Sequence, residues 1–122
     1  MTEQPRDLVE RTFRFATEVR RFVNRLPKML SNYEDSRQLV RSSGSVAAEY
    51  IESQEGLSRK DFFYRIKGCR KEARESGRWL RLAEIAGEAT LALERDRLAA
   101  EADELKRIFS AIAGKDDTAG SL

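Results

Sequence analysis

The sequence contains no histidine, one cysteine and two prolines among its 122 residues. Without histidine there is no Ser-His or Cys-His nucleophile pair, no histidine metal ligand and no usual general base near neutral pH. The single cysteine, Cys69, excludes an internal disulfide and cysteine-based zinc sites, and its place on an apolar helical face indicates a buried thiol. We therefore expect a protein that is not an enzyme and that binds no cofactor or metal.

Long hydrophobic runs are also missing. No stretch approaches the roughly 18 consecutive apolar residues of a membrane span, and the charged residues 1–7 lack the apolar run of a secretion signal. We expect no membrane association and a cytoplasmic location. Hydrophobic residues make up 40% of the chain and charged residues 36%, which together with the few prolines is typical of a single helical domain with a highly charged surface.

Apolar residues recur at three- and four-residue steps along four segments, which predicts four amphipathic helices. The first helix follows Asp7 and Glu10, whose spacing can cap its start, and it ends before Pro27. The second begins near Ser31, with Glu34 at capping-box spacing. The predicted inward faces of these two helices are Leu8, Thr12, Phe15, Ala16, Val19, Phe22, Val23 and Leu26, and Leu39, Ser43, Val46, Ala47 and Tyr50.

The third helix starts after Ser58, which forms a second capping box with Asp61, and the fourth follows a break around Gly87. Their predicted inward faces are Phe62, Ile66, Cys69, Ala73, Ser76, Leu80 and Ala83, and Leu91, Leu98, Ala102, Leu105, Phe109 and Ile112. Four such helices with short connections predict an all-α, antiparallel up-down-up-down four-helix bundle. We expect a flexible N-terminus, the bundle and a disordered tail at residues 1–6, 7–113 and 114–122.

Charge is divided unevenly between the helices, which the net charge of +2 conceals. Residues 6–28 hold seven basic and three acidic side chains, and residues 57–82 hold nine and three. Residues 29–56 hold two basic and five acidic side chains, and residues 83–113 hold four and seven. The first and third helices are therefore basic, and the second and fourth are acidic.

Six cations of the third helix fall on one side of it at about 100° per residue, opposite its apolar face. We call this surface the basic ridge, and its members are Lys60, Lys67, Lys71, Arg74, Arg78 and Arg81. Such side chains can each meet a backbone phosphate, which gives affinity for nucleic acid that is largely independent of sequence and depends steeply on salt. Two other interpretations remain open, a solvated face and pairing with the acidic helices of a neighbouring subunit.

A second group of apolar residues on the third helix lies off its inward face. Its members are Tyr64, Gly68, Trp79, Leu82 and Ala86. Phe13 on the first helix also lies about 140° from Leu8, outside the apolar stripe. Exposed apolar patches usually mark protein contacts, so we expect self-association, with Phe13, Tyr64, Trp79 and Leu82 as candidate interface residues. The alternatives are a wider core that buries Trp79, and stacking of unpaired bases on Trp79 or Tyr64.

Two groups of glutamates are dense enough to suggest acid and base chemistry. They are Glu49, Glu52 and Glu55 on the second helix and Glu72 and Glu75 on the third. No nucleophile or metal ligand accompanies them, so we expect salt bridges instead, to Arg41, Arg70 or neighbouring chains.

Short motifs spread over about residues 7–112 resemble those of the bacterial 23S rRNA intervening-sequence proteins, also called S23-like proteins. They are Asp7-Leu8, Phe15-Ala16, Leu26-Pro27, Gln38-Leu39-Val40-Arg41-Ser42 with Ser45-Val46, Ser58-x-x-Asp61-Phe62, Lys71-Glu72-Ala73-x-Glu75 and Trp79-Leu80. Each motif alone is weak, whereas their order and spacing together are fairly specific. One position departs from the family, because Glu49 stands where an asparagine is common after the Ser-Val-x-Ala stretch.

The resemblance implies a four-helix bundle that assembles into a ring-shaped homopentamer without established catalytic activity. The family is related to the accessory variability determinant of diversity-generating retroelements, which works with a reverse transcriptase and nucleic acid. Two hypotheses follow. The chain is either a non-enzymatic homo-oligomer whose basic ridge binds RNA or DNA, as an accessory to a reverse transcriptase or another nucleic-acid enzyme, or a protein-binding scaffold with no nucleic-acid role.

Overall fold

The structure, a computed structural model, describes residues 5–55 and 58–120. It contains four α-helices: α1 (Pro5–Val23), α2 (Leu30–Gln54), α3 (Arg59–Leu82) and α4 (Ala89–Gly120). Each helix packs against the next along the chain, and α4 returns to α1 through the sparsest of the four contacts. In the described residues the backbones of the diagonal pairs, α1 with α3 and α2 with α4, stay apart, and these helices can meet only through side chains in the core. This arrangement confirms the predicted all-α up-down-up-down bundle.

The helix starts differ in part from the predicted caps. α1 begins at Pro5, whose fixed φ suits the first helical turn, so Asp7 lies inside that turn and is not its cap. At the start of α2, Met29 is the N-cap residue and offers no side-chain hydrogen bond, so the predicted Ser31 capping box is wrong. The cap of α3 is confirmed, because the backbone N–H of Asp61 donates to Ser58 Oγ at 3.0 Å.

The connection from the end of α3 to the start of α4 is a tight turn. Between them, Ala86 and Gly87 have positive φ angles of 52° and 78°, and the N–H of Glu88 donates to the Ile85 carbonyl at 3.0 Å. This tight turn reverses the chain where the break around Gly87 was predicted.

α4 then continues to Gly120, beyond the predicted helical limit near residue 113. The predicted disorder of the tail stays a prediction, and residues 1–4 and 121–122 lie outside the described residues.

The core runs the length of the bundle. Its largest fully buried side chains are Tyr50, Phe15, Phe22, Phe109, Leu8, Leu39, Ile66, Leu80, Leu98, Leu105, Val19 and Val46. Tyr50 and Phe109 meet across the diagonal with ring centroids 5.9 Å apart, so these large residues fill the centre between α2 and α4. Three predicted core residues, Val23, Phe62 and Ile112, are partly buried against the core, and beside two of them Phe63 and Ala113 are buried although they were not predicted. Ala47 is also only partly buried.

Small residues let α2 pack closely against its neighbours. Ser42 and Ser76 are buried and share a hydrogen bond of 2.8 Å between their hydroxyls, which links α2 to α3. A Cβ on Gly44 would lie 3.0 Å from Arg20 Nη2, so the glycine makes room for a guanidinium that crosses from α1. Serine and glycine have modest to poor helix propensity, and these tertiary contacts compensate for the run Ser42-Ser43-Gly44-Ser45 inside α2.

Asn32 joins the two connections at one end of the bundle. Its Nδ2 group donates to the carbonyls of Pro27 and Glu84, at 3.0 and 2.8 Å, and its Oδ1 accepts from the Glu84 N–H at 2.9 Å. The residue is 3% exposed, so its amide takes part in three nearly water-free hydrogen bonds. The loop before α2 is thereby held against the loop before α4.

Candidate nucleic-acid interface

All six members of the basic ridge lie on α3 within an arc of about 80°, and they extend for about 32 Å along the helix. Five of them, Lys60, Lys71, Arg74, Arg78 and Arg81, have exposed side chains. Because the backbone of α3 lies next to those of α2 and α4 but not next to that of α1, its outer side forms a corner of the bundle that faces away from the core. The ridge is therefore a convex strip of cations.

Intrachain carboxylates engage a small part of this strip. Lys67 Nζ lies 3.4 Å from Asp116 Oδ2, and Asp116 Oδ1 lies 4.0 Å from Arg59 Nη2. Within the described ranges, the other five ridge cations form no ion pair. The C-terminal part of α4, which was predicted to be a tail, thus neutralises the ridge locally at Lys67.

The carboxylates of α3 itself point towards arginines and not towards the ridge. Glu72 and Glu75 both accept hydrogen bonds from Arg41 of α2, at 3.3 and 3.1 Å, which confirms the predicted role of Arg41. Asp61 lies 3.3 Å from Arg65 one turn later. Since Glu72 and Glu75 together raise the pKa of Arg41, with the Glu72 hydrogen bond as the largest cause, this group stays charged.

Glu49 has a definite place at the α2–α3 contact. Its Oε1 atom lies 3.5 Å from Arg65 Nη1, and its Oε2 atom lies 3.0 Å from where a Cβ would stand on Gly68. Gly68 therefore provides the space that the half-buried glutamate occupies. Glu49, which stands where the family commonly has an asparagine, thus pairs with Arg65 and not with the predicted Arg41 or Arg70.

The four candidate interface residues do not form one surface. Trp79 packs against the core, as the wider-core alternative had it. Tyr64 and Leu82 are 73% and 57% exposed, but they are 18 residues or about 27 Å apart along α3. Phe13 is exposed on α1, whose described backbone does not approach that of α3. Whether any of them lies in a subunit contact stays a prediction.

A larger apolar surface, absent from the sequence predictions, lies at the α1–α2 connection. We call it the α1–α2 groove, a concave region of about 1000 Å³ lined mainly by Val23, Leu26, Met29, Leu30, Tyr33 and Val40. Leu30 and Tyr33 are 77% and 69% exposed. Lys28 and Arg37 supply the charged groups of its described lining. The sequence signal that could have located the groove is the pair of large apolar residues, Leu30 and Tyr33, at the start of α2 and outside its periodic stripe.

Cys69 is fully buried between α2 and α3, with its Sγ 3.8 Å from the Val46 carbonyl. Burial, with a smaller contribution from Glu49, raises the pKa of its thiol to about 12. The thiol is therefore un-ionised at neutral pH and acts as a small apolar core residue. Among the residues that the structure describes, no cluster of three potential metal ligands occurs, and no helix is long and apolar enough to cross a membrane.

Comparisons with known proteins agree with this architecture. A solved structure from Bacteroides thetaiotaomicron VPI-5482, described as a protein with unknown function from the S23 ribosomal protein family, superposes with a TM-score of 0.71. It is 24% identical, and the match covers 87% of this chain and 97% of that one, which shows a shared fold. No curated protein matches the sequence. The family model described as 23S rRNA-intervening sequence protein matches residues 6–111, so the chain belongs to the 23S rRNA-intervening sequence protein family.

Proposed function

We propose that this protein is a non-enzymatic, self-associating helical bundle that binds RNA or another nucleic acid through the basic ridge, as an accessory to a nucleic-acid enzyme. The observation that supports the proposal is the set of five exposed ridge cations that are not neutralised within the described chain. The three carboxylates of α3 pair with arginines outside the ridge. The outer side of α3 therefore presents one sign of charge to a polyanion.

The expected salt dependence follows from the number of free cations. If five of them each meet one phosphate of a single strand, the logarithm of the affinity falls with the logarithm of salt concentration with a slope of about −3.5. Between about 50 and 200 mM salt the affinity then drops roughly 100-fold. Filter binding to an RNA hairpin that carries a long single-stranded tail, at these two salt concentrations, measures this drop directly.

A matched pair of variants tests whether the ridge itself is responsible. Arg74→Glu with Arg78→Glu reverses two ridge charges, and Arg14→Glu with Arg21→Glu makes the same change in net charge on exposed positions of α1. We expect the ridge variant to lose at least about tenfold in affinity and to show a shallower salt slope by about 1.4, and the α1 variant to bind within about threefold of wild type. Equal losses in both variants, or no loss in the ridge variant, would discard the proposal.

The α1–α2 groove favours protein contact as the second element of the function. Exposed apolar surface that is concentrated in one concave region is typical of interfaces, and symmetric self-association is the commonest outcome for such surfaces. We take a second copy of the chain as its occupant, because the resemblance implies a ring-shaped pentamer. The scaffold hypothesis shares this surface, but it requires no nucleic-acid binding at all.

The molar mass in solution tests the groove. We expect wild type to exceed the 14.0 kDa of one chain, with a pentamer at five times that mass. Leu30→Glu with Tyr33→Glu should shift the protein to the monomer. Leu82→Glu with Tyr64→Glu replaces a leucine and a tyrosine of similar exposure on α3 and should leave the assembly intact. A monomeric wild type removes the self-association proposal, and dissociation by the α3 variant alone moves the contact to that helix.

A further inference from the structure

Tyr64 is the one aromatic residue of α3 that the fold does not use. Phe63 is buried, Phe62 packs edge-on against it with ring centroids 5.0 Å apart, and Trp79 packs against the core. Tyr64 is 73% exposed, and within the described part of the chain its ring stacks on no other ring and its hydroxyl takes part in no hydrogen bond. A large planar side chain is thus held in solvent with no structural task.

The position of Tyr64 places this ring at the edge of the basic ridge. At about 100° and 1.5 Å per residue, Tyr64 lies about 40° and 6 Å from Lys60, and about 20° and 10 Å from Lys71. Lys67 is one turn away on the side towards α4, where it also contacts Asp116. The ring therefore has a cation before it and a cation after it along the same outer line of the helix.

The carboxylates of α3 on the side of Tyr64 already form ion pairs with arginines. Asp61, one turn before it, pairs with Arg65 at 3.3 Å, and Glu75, further along the same side of α3, accepts from Arg41 at 3.1 Å. A strand that lies along the ridge would thus meet cations for its phosphates and an aromatic face between them. This combination is how proteins bind single-stranded nucleic acid without reading its sequence, whereas bases in a duplex are already stacked on each other.

We propose that Tyr64 is a base-stacking residue and that it makes the basic ridge selective for single-stranded or unpaired nucleotides over duplex. The inference rests on the proposed nucleic-acid function and adds the class of ligand. The phosphates provide most of the affinity through the lysines and arginines. Tyr64 adds the energy of one stacked base, which a duplex or a strand without bases does not receive.

The test compares two strands that share a backbone. One is a single-stranded oligodeoxyadenylate of about 12 nucleotides, long enough for a ridge of about 32 Å, and the other is an abasic strand of the same length. We expect wild type to bind the adenylate about tenfold more tightly than the abasic strand. Tyr64→Ala should lose this difference and keep the affinity for the abasic strand, and Tyr64→Phe should retain both.

Two controls keep the outcomes distinct. Leu93→Ala removes an apolar side chain of similar exposure, 72%, from α4 and should bind both strands as wild type does. The salt slope of Tyr64→Ala should equal that of wild type, because no phosphate contact is lost. If Tyr64→Ala still prefers the adenylate tenfold, or if it changes the molar mass of the assembly, the stacking role is overturned while the ridge stands. If wild type binds neither strand nor the RNA hairpin, the proposed function itself has failed.

Discussion

Replacement of Asn32 by alanine should lower the free energy of unfolding strongly, although the side chain is small. Its side chain makes three hydrogen bonds of 2.8 to 3.0 Å to the backbones of Pro27 and Glu84 and is 3% exposed. Each such bond contributes about 1 kcal/mol net, so removing all three in Asn32→Ala should lower the free energy of unfolding by about 2 to 3 kcal/mol. The lower figure applies if water reaches the freed groups at the end of the bundle.

Urea denaturation at one fixed protein concentration measures this loss, because self-association would otherwise shift the transition. For a chain of this length a loss of 2 to 3 kcal/mol corresponds to a fall of roughly 8 to 12 °C in melting temperature. Asn24→Ala, on the same connection but exposed, is the matched control and should change the free energy of unfolding by less than about 0.5 kcal/mol.

Asn32→Asp separates hydrogen bonding from packing. It has nearly the same shape, but it replaces the donating Nδ2 group by a carboxylate oxygen close to the carbonyls of Pro27 and Glu84. We expect it to be at least as destabilising as Asn32→Ala at neutral pH. Wild-type stability in both variants would refute the reasoning, because the three hydrogen bonds would then contribute nothing.

Three further changes have defined outcomes. Gly77→Ala should raise the free energy of unfolding by about 1 kcal/mol in urea denaturation, because the new Cβ would lie 3.7 Å from Ala102 Cβ, an ordinary contact; a loss of stability would contradict this. Asp116→Asn should tighten RNA binding a few-fold and steepen its salt slope by up to about 0.7, since it releases Lys67; unchanged binding would show that Lys67 is not part of the interface. Burial raises the pKa of Cys69 from 9.0 to about 12, so the unfolded chain loses the thiol proton first as pH rises. The contribution of this thiol to the free energy of unfolding is fully present below about pH 9 and falls by up to about 1.4 kcal/mol per pH unit between pH 9 and about 12. Denaturation curves at several pH values measure this fall, and Cys69→Ala should not show it.

Features that depend on local spacing could be predicted from the sequence. The helices, most of the core and the membership of the basic ridge follow from side chains that recur every three or four residues. The geometry of a single helix is enough to show which of these side chains share a face. Ser58 is a cap for the same reason, since its partner is the N–H three residues later. These predictions required no knowledge of how the helices pack.

Features that depend on how the helices meet could not be predicted. Asn32 bonds to Glu84, 52 residues away, and nothing in its neighbourhood along the chain indicates this partner. Ser31 was assigned to a cap, but its hydroxyl donates to the Glu84 carboxylate at 2.6 Å. In the sequence Lys67 does not differ from the other ridge cations. Its contact with Asp116, at 3.4 Å, arises because α4 extends further than predicted.

The ridge cations remain able to bind a ligand because of how α2 packs against α3. α3 carries three carboxylates, and on an isolated helix Glu75 could pair with the ridge cations Lys71 and Arg78, four and three positions away. In the bundle, Arg41 of α2 takes Glu72 and Glu75, while Arg65 takes Asp61 and also meets Glu49 of α2. Three of these four ion pairs join α2 to α3, and the fourth, Asp61 with Arg65, lies within α3. The acidic groups are thus drawn towards α2, and the cations on the opposite, outer side of α3 keep their charge for a ligand.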